Sequence, residues 1–181
     1  FHSSLFKYYY TNNTKFEKVT RTVNGVAKTA MKLTMPKLLA AVKEHFDCQT
    51  LDGVYLEDDN NTSSHFEKAI FGTDSLSPVA TGVTVISALQ MALMEDSGWY
   101  RVDYSKAQFL WYGHKAGCKM FDNYCDTSLP EYCVKRGMLG CSRDYTSKSI
   151  CGMTSYTPDC NIPFTKMDYN CVRTYGLSVQ T

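Results

Sequence analysis

The chain has 181 residues, 44% of them hydrophobic and 20% charged, enough apolar content for one domain, or one domain with a small appendage, and against intrinsic disorder. Nineteen Lys and Arg against eighteen Asp and Glu give a formal charge of +1, which leaves no field to hold nucleic acid or an anionic membrane. The longest apolar stretch, residues 78–94, is broken by Thr81, Thr84, Ser87 and Gln90 and closes on Glu95 and Asp96. It reads as a buried helix, and no transmembrane segment is expected.

Residue 1 is Phe rather than Met, and residues 1–6 have neither the basic nor the apolar region of a signal peptide, so a mature or partial chain is expected. Residues 1–33 are polar, aromatic and β-branched, with turn signals at Asn12-Asn13 and Asn24-Gly25 and a strand or hairpin arm at residues 20–26. Thr34 can cap a helix with Pro36 in its first turn, and Met35, Leu38, Leu39, Val42 and Phe46 recur at helical spacing up to Cys48. Residues 47–64 are acidic and loop-like. Ser77-Pro78 predicts a second helix that runs to about Ser97 and stops at Gly98, with Val79, Val83, Ile86, Leu89 and Leu93 buried and Trp99-Tyr100 packed at its end. Ser105 can cap a short turn, and from Trp111 onward the composition is that of a loop-rich, disulfide-stapled region.

Eight cysteines are present, seven of them within residues 118–181. Six to ten residues separate neighbours in that group and no C-x-x-C pair occurs, so disulfides are favoured over thiolate-bound metal and the compartment is expected to be oxidising. Glycosylation sequons at Asn12, Asn60 and Asn61 agree with a secreted or surface chain.

Chemistry is harder to find. His2, His45, His65 and His114 form no H-E-x-x-H pair, and there is no G-x-S-x-G or phosphate-binding glycine string. Taken singly, each His reads as a surface or hydrogen-bonded residue. Asp58-Asp59 and Glu95-Asp96 read as solvated acidic pairs. The residues alone define an extracellular, disulfide-bonded domain, α+β or mostly helical.

Residues 51–125 nevertheless carry an ordered succession of short strings. These are Leu56-Glu57-Asp58, Ser64-His65-Phe66-Glu67, Ser75-Leu76-Ser77-Pro78, Ser87 through Tyr100, Asp103-Tyr104-Ser105-Lys106-Ala107, Trp111-Tyr112-Gly113 and Ala116-Gly117-Cys118. In that order and spacing the chain resembles the leishmanolysin family of zinc metalloendopeptidases, which are metzincins. The resemblance implies an α+β fold, mainly helical: the C-terminal half of a metzincin-like catalytic domain over residues 1–117, then a cysteine-rich region over residues 118–181.

In that family an H-E-x-x-H helix supplies two zinc ligands and the general base, and a third His follows a long insertion. The resemblance puts His65 at the third-ligand position and Leu76 at the methionine-turn position beneath the metal, a near-isosteric replacement. Glu67 either supports the ligand imidazole or is a plain surface carboxylate. The H-E-x-x-H segment does not occur in these 181 residues, and Phe1-His2-Ser3-Ser4-Leu5-Phe6 resembles the family text just past that helix. No catalytic residue is therefore assigned here, zinc is expected only if that segment is present in the complete molecule, and this chain alone is expected to be inactive. The implied partners are protein or peptide substrates and the N-terminal half of the same protein.

The resemblance also implies the pairs Cys48 with Cys118, Cys125 with Cys171 and Cys133 with Cys151, leaving Cys141 for Cys160, each worth about 3–5 kcal/mol in the chain-entropy model. Two other readings compete with a peptidase. One is a family member without catalysis that acts as a structural or adhesive extracellular module; the other treats the cysteine-rich tail as a binding domain.

Overall fold

Interleaved β-branched and charged residues form a hairpin at the start of the described residues in the computed structural model, which describes residues 16–23, 26–57, 64–122, 125–157, 160–166 and 171. Strands β1 (Phe16–Val23) and β2 (Val26–Leu33) pair antiparallel, from Phe16 opposite Leu33 to Val23 opposite Val26. That register leaves two residues between the strands, Asn24 and Gly25, the pair that signals a tight turn. Both lie outside the described residues, as do His2, Asn12, Asp58, Asp59, Asn60 and Asn61. A short strand β3 (Val54–Tyr55) adds antiparallel to β2, giving a three-stranded sheet in the order β1-β2-β3.

Helix α1 (Pro36–Phe46) buries Leu38, Val42 and Phe46 on one face, as their spacing predicts. Its N-cap position belongs to Met35 rather than to Thr34, and the Met35 side chain makes no capping bond. The cap comes from a distant part of the chain: Leu38 N–H donates to Asp96 Oδ2 at 2.8 Å, and Lys37 pairs with Glu95 at 2.6 Å. A one-turn helix α2 (Lys68–Phe71) follows β3.

The second long helix is shorter than its sequence suggests. Helix α3 spans Ala88–Asp96, with Ser87 as N-cap accepting from Leu89 N and Gln90 N. Ser77-Pro78 does not open it, and Val83 and Ile86 are 50% and 49% exposed rather than part of a buried stripe. Residues 77–87 instead run extended and looped. Ser75 N–H donates to Val85 O at 2.9 Å, Val85 N–H to Thr73 O at 3.0 Å, and Thr165 N–H to Thr81 O at 2.7 Å. β-Branched Thr81, Val83 and Thr84, with Gly82 among them, favour that pairing over a helical turn. Gly98 does end the helix, at φ 73, but Trp99 and Tyr100 remain 42% and 56% exposed. The short turn at Tyr104–Lys106 is capped by Asp103, not by Ser105.

Beyond the one-turn helix α4 (Lys119–Asp122), the cysteine-rich region holds a second antiparallel sheet: β4 (Leu139–Cys141), β5 (Lys148–Gly152) and β6 (Ile162–Lys166), in that order. The fold is thus mixed α/β with two small sheets, not mainly helical. Among the described residues no helix is long and apolar enough to cross a membrane.

One apolar core joins these parts. Phe46 meets Phe71 and Phe121 edge-on, with ring centroids 5.6 and 4.9 Å apart, and Tyr132, Cys160 and Ile162 from the C-terminal region are buried in the same cluster. Gly113, at φ 71, brings the turn at residues 112–115 onto Phe46; a Cβ there would stand 2.2 Å from Phe46 Cε1.

All eight cysteines are paired. Cys48–Cys118 and Cys133–Cys151 are the implied pairs, but Cys125 bonds to Cys160 and Cys141 to Cys171. The partners are exchanged for a reason visible in the second sheet. Cys160 sits just before β6 and is buried in the core against which Cys125 packs. Cys171 N–H donates to Thr146 O in the β4–β5 connection, beside the end of β4 where Cys141 stands.

Non-reducing peptide mapping should recover Cys125–Cys160 and Cys141–Cys171 as linked pairs; a Cys125–Cys171 peptide would contradict this arrangement. Phe46→Ala, which empties the centre of the aromatic cluster, should cost about 3–5 kcal/mol of stability, read as a lowered urea midpoint at unchanged slope.

Candidate functional site

The loop that bears His65 is held by backbone pairing on both sides. Leu56 and Phe66 form an isolated antiparallel bridge. Glu57 N–H donates to His65 O at 3.0 Å, Phe66 N–H to Leu76 O at 3.1 Å, and Glu67 N–H to Tyr55 O at 3.3 Å. His65 and the Leu76 turn are therefore neighbours through one hydrogen bond. Leu76 itself is buried, so this turn presents an apolar side chain without a polar group.

His65 is partly exposed, and its Nδ1 lies 3.2 Å from Ser64 Oγ. In the tautomer where Nδ1–H donates to that hydroxyl, Nε2 carries the lone pair a metal needs. Glu67 is not a surface carboxylate: it is buried and ion-paired with Arg21 of β1, whose guanidinium carbon lies 4.6 Å from the centre of the Tyr55 ring.

Behind this loop is a buried charged group that the sequence does not announce. Lys68 is fully buried; its Nζ donates to Gly72 O and to Val79 O, the latter at 2.6 Å, and its backbone N–H donates to Glu57 Oε2 at 2.8 Å. Burial pushes the Lys68 ammonium down to about 8, although the negative charges of Glu57 and Asp74 work against the shift. Asp74 is nearly fully buried as well. Its Oδ1 accepts from Leu76 N at 2.8 Å and its Oδ2 from the Ser87 hydroxyl. Burial pushes its carboxyl up to about 6, against those two hydrogen bonds and the Lys68 charge. Asp74 thus ties the Leu76 turn to the N-cap of α3. No spacing rule singles it out, because its partners lie two and thirteen residues away on irregular chain.

Of the other histidines, His45 and His114 come together at the end of α1, with ring centroids 5.6 Å apart. Burial holds His45 below its ordinary range, and the charges of His114 and Lys115 push the same way. Neither ring approaches His65 in any described contact. Among the described residues no group of three or more His, Cys, Asp or Glu gathers to hold a metal. These residues alone do not fit a catalytic zinc ion: they offer one imidazole where a catalytic site needs three protein ligands.

Comparison with known proteins places the chain among metallopeptidases. It belongs to the leishmanolysin family, whose model matches residues 4–171. It is 32% identical over 164 residues to a leishmanolysin-like peptidase of Drosophila melanogaster, covering 78% of this chain and 24% of that protein. A leishmanolysin homolog of Crithidia fasciculata is 28% identical over 167 residues, covering 87% and 25% of the two chains. The ciliated left-right organizer metallopeptidase of Danio rerio is 29% identical over 140 residues, covering 73% and 22%. The chain therefore spans about a quarter of the length of these relatives.

The buried carboxylate sets a pH dependence with a definite sign. Because the Asp74 carboxyl is raised to about 6 in the folded state, its contribution to stability is complete below its unfolded value of about 4 and is lost as pH rises through 6. Asp74→Asn should remove that slope, so the stability difference between wild type and variant should shift against the wild type between about pH 4 and 6. Urea midpoints measured across that window test this; a constant difference would contradict it.

Proposed function

We propose that this chain is part of a secreted or surface leishmanolysin-like zinc metalloendopeptidase and that it contributes His65 as the third zinc ligand, the first two ligands and the general base coming from an H-E-x-x-H helix elsewhere in the complete protein. The observation that carries the reading is the hydrogen bond from Phe66 N–H to Leu76 O, which seats the His65 loop against the turn that, by its resemblance to the family, we assign to the methionine-turn position. The zinc ion of such enzymes activates water and polarises the scissile carbonyl. This chain's part is to present the imidazole: Ser64 orients the ring through Nδ1, and the Asp74 carboxylate fixes the Leu76 turn beneath the loop. Peptides and proteins are the substrates, and four disulfides support an oxidising compartment. One imidazole cannot hold a catalytic ion, so the 181-residue chain by itself should hydrolyse no peptide.

In the complete protein, His65→Ala should lower peptide hydrolysis by about 100-fold or more and should empty the site of zinc in metal analysis of the purified material, with the melting temperature of the metal-free form little changed. Full zinc occupancy in that variant would overturn the assignment.

A further inference from the structure

The imidazoles of His45 and His114 are not used by this reading. His45 Nε2 lies 2.9 Å from the carbonyl oxygen of Tyr112. A carbonyl only accepts, so Nε2 carries the proton, and in the neutral ring the lone pair sits on Nδ1. A ring nitrogen bound to a backbone carbonyl, with the opposite nitrogen left basic, is the arrangement found behind metal-ligating histidines. The His114 ring stands 5.6 Å from that of His45, centroid to centroid, at 60°. Two imidazoles sharing one ion at Zn–N distances near 2.0–2.1 Å have centroids roughly 4.5–6 Å apart, so the pair already has the required separation.

The two chain segments that carry the rings are also held together before any ion arrives. Lys115 N–H donates to His45 O at 2.8 Å and Gly117 N–H to Phe46 O at 2.7 Å, while the Cys48–Cys118 disulfide closes the same junction one step further along. Phe109 backs the His114 ring at 4.8 Å. Both histidines line an open cleft of about 340 Å³, with Leu89, Phe109 and Lys115 on its walls; this gives an ion access and leaves space for water to complete its shell.

We propose that His45 and His114 form a two-imidazole binding site for a borderline divalent transition-metal ion of the Zn²⁺, Cu²⁺ or Ni²⁺ class, which clips the C-terminal end of α1 to the turn at residues 112–115. Imidazole donors favour these ions over Mg²⁺ and Ca²⁺. With two protein ligands and no third His, Cys, Asp or Glu gathered among the described residues, the site binds more weakly than a structural zinc centre. It stands independently of the role assigned to His65.

The test uses the oxidised 181-residue chain and the metals alone. Calorimetric titration with zinc sulfate, and separately with nickel chloride, should show one equivalent bound. His114→Ala should weaken that binding at least tenfold and His65→Ala should leave it unchanged. Long-range proton–nitrogen spectra of the wild-type chain give a readout that needs no variant: zinc should shift His45 Nδ1 and one nitrogen of His114, and leave His65 in place. Absence of binding, wild-type affinity in His114→Ala, or a zinc-induced shift confined to His65 would each overturn the proposal. Loss of zinc by His65→Ala in the complete protein concerns the other site, so the two assignments fail separately.

Discussion

A buried carboxylate holds the centre of this structure. Asp74 accepts the backbone N–H of Leu76 with one oxygen and the hydroxyl of Ser87 with the other, and Ser87 in turn caps α3. The Leu76 carbonyl, on the same turn, receives Phe66 N–H beside His65. The position of the His65 loop is thus referred to the N-terminus of α3 through two side chains and a turn. Desolvation makes such a carboxylate expensive, and only its full complement of donors and the nearby Lys68 ammonium make it tolerable.

Much of the frame is legible in the sequence because it depends on local rules. Asn24-Gly25 marks a turn, though the arm expected over residues 20–26 is split by it into the end of β1 and the start of β2, the spacing of Leu38, Val42 and Phe46 marks a buried helix face, and Gly98 marks a stop. What resists reading is set by distant partners. Ser77-Pro78 has every local mark of a helix start, yet Thr81 and Val85 are claimed by backbone partners at Thr165, Thr73 and Ser75, so the helix begins only at Ala88. The second sheet is hidden for the same reason: β4, β5 and β6 are short and irregularly spaced, and their order decides whether Cys160 or Cys171 meets Cys125.

The candidate site divides along the same line. His65 and Leu76 stand out by resemblance to a family, since a lone His on a polar loop has no periodicity to betray it. Glu67, which the sequence leaves as either a support for the ligand imidazole or a surface carboxylate, is a buried partner of Arg21, 46 residues earlier. Lys68 carries no signal in the sequence and is buried completely. A lysine whose stem and head are both enclosed is rare enough that sequence statistics argue against it. Only the convergence of Glu57, Asp74 and two carbonyls makes it possible.

The last turn of α3 shows how far this interdependence reaches. Glu95 and Asp96 lie at the end of a helix where the backbone dipole is negative, and that turn contains no basic residue; in isolation two acids there oppose helix formation. Their charges are instead taken up by the neighbouring helix, Glu95 by Lys37 and Asp96 by the first-turn N–H of Leu38 at the positive end of α1. Each helix therefore carries the other's terminal correction. A nine-residue α3 cut from the chain has an electrostatic fault without a remedy, and α1 alone has donors without an acceptor. The two segments are stable as a pair and poor as separate peptides, so this part of the molecule should order in a single cooperative step.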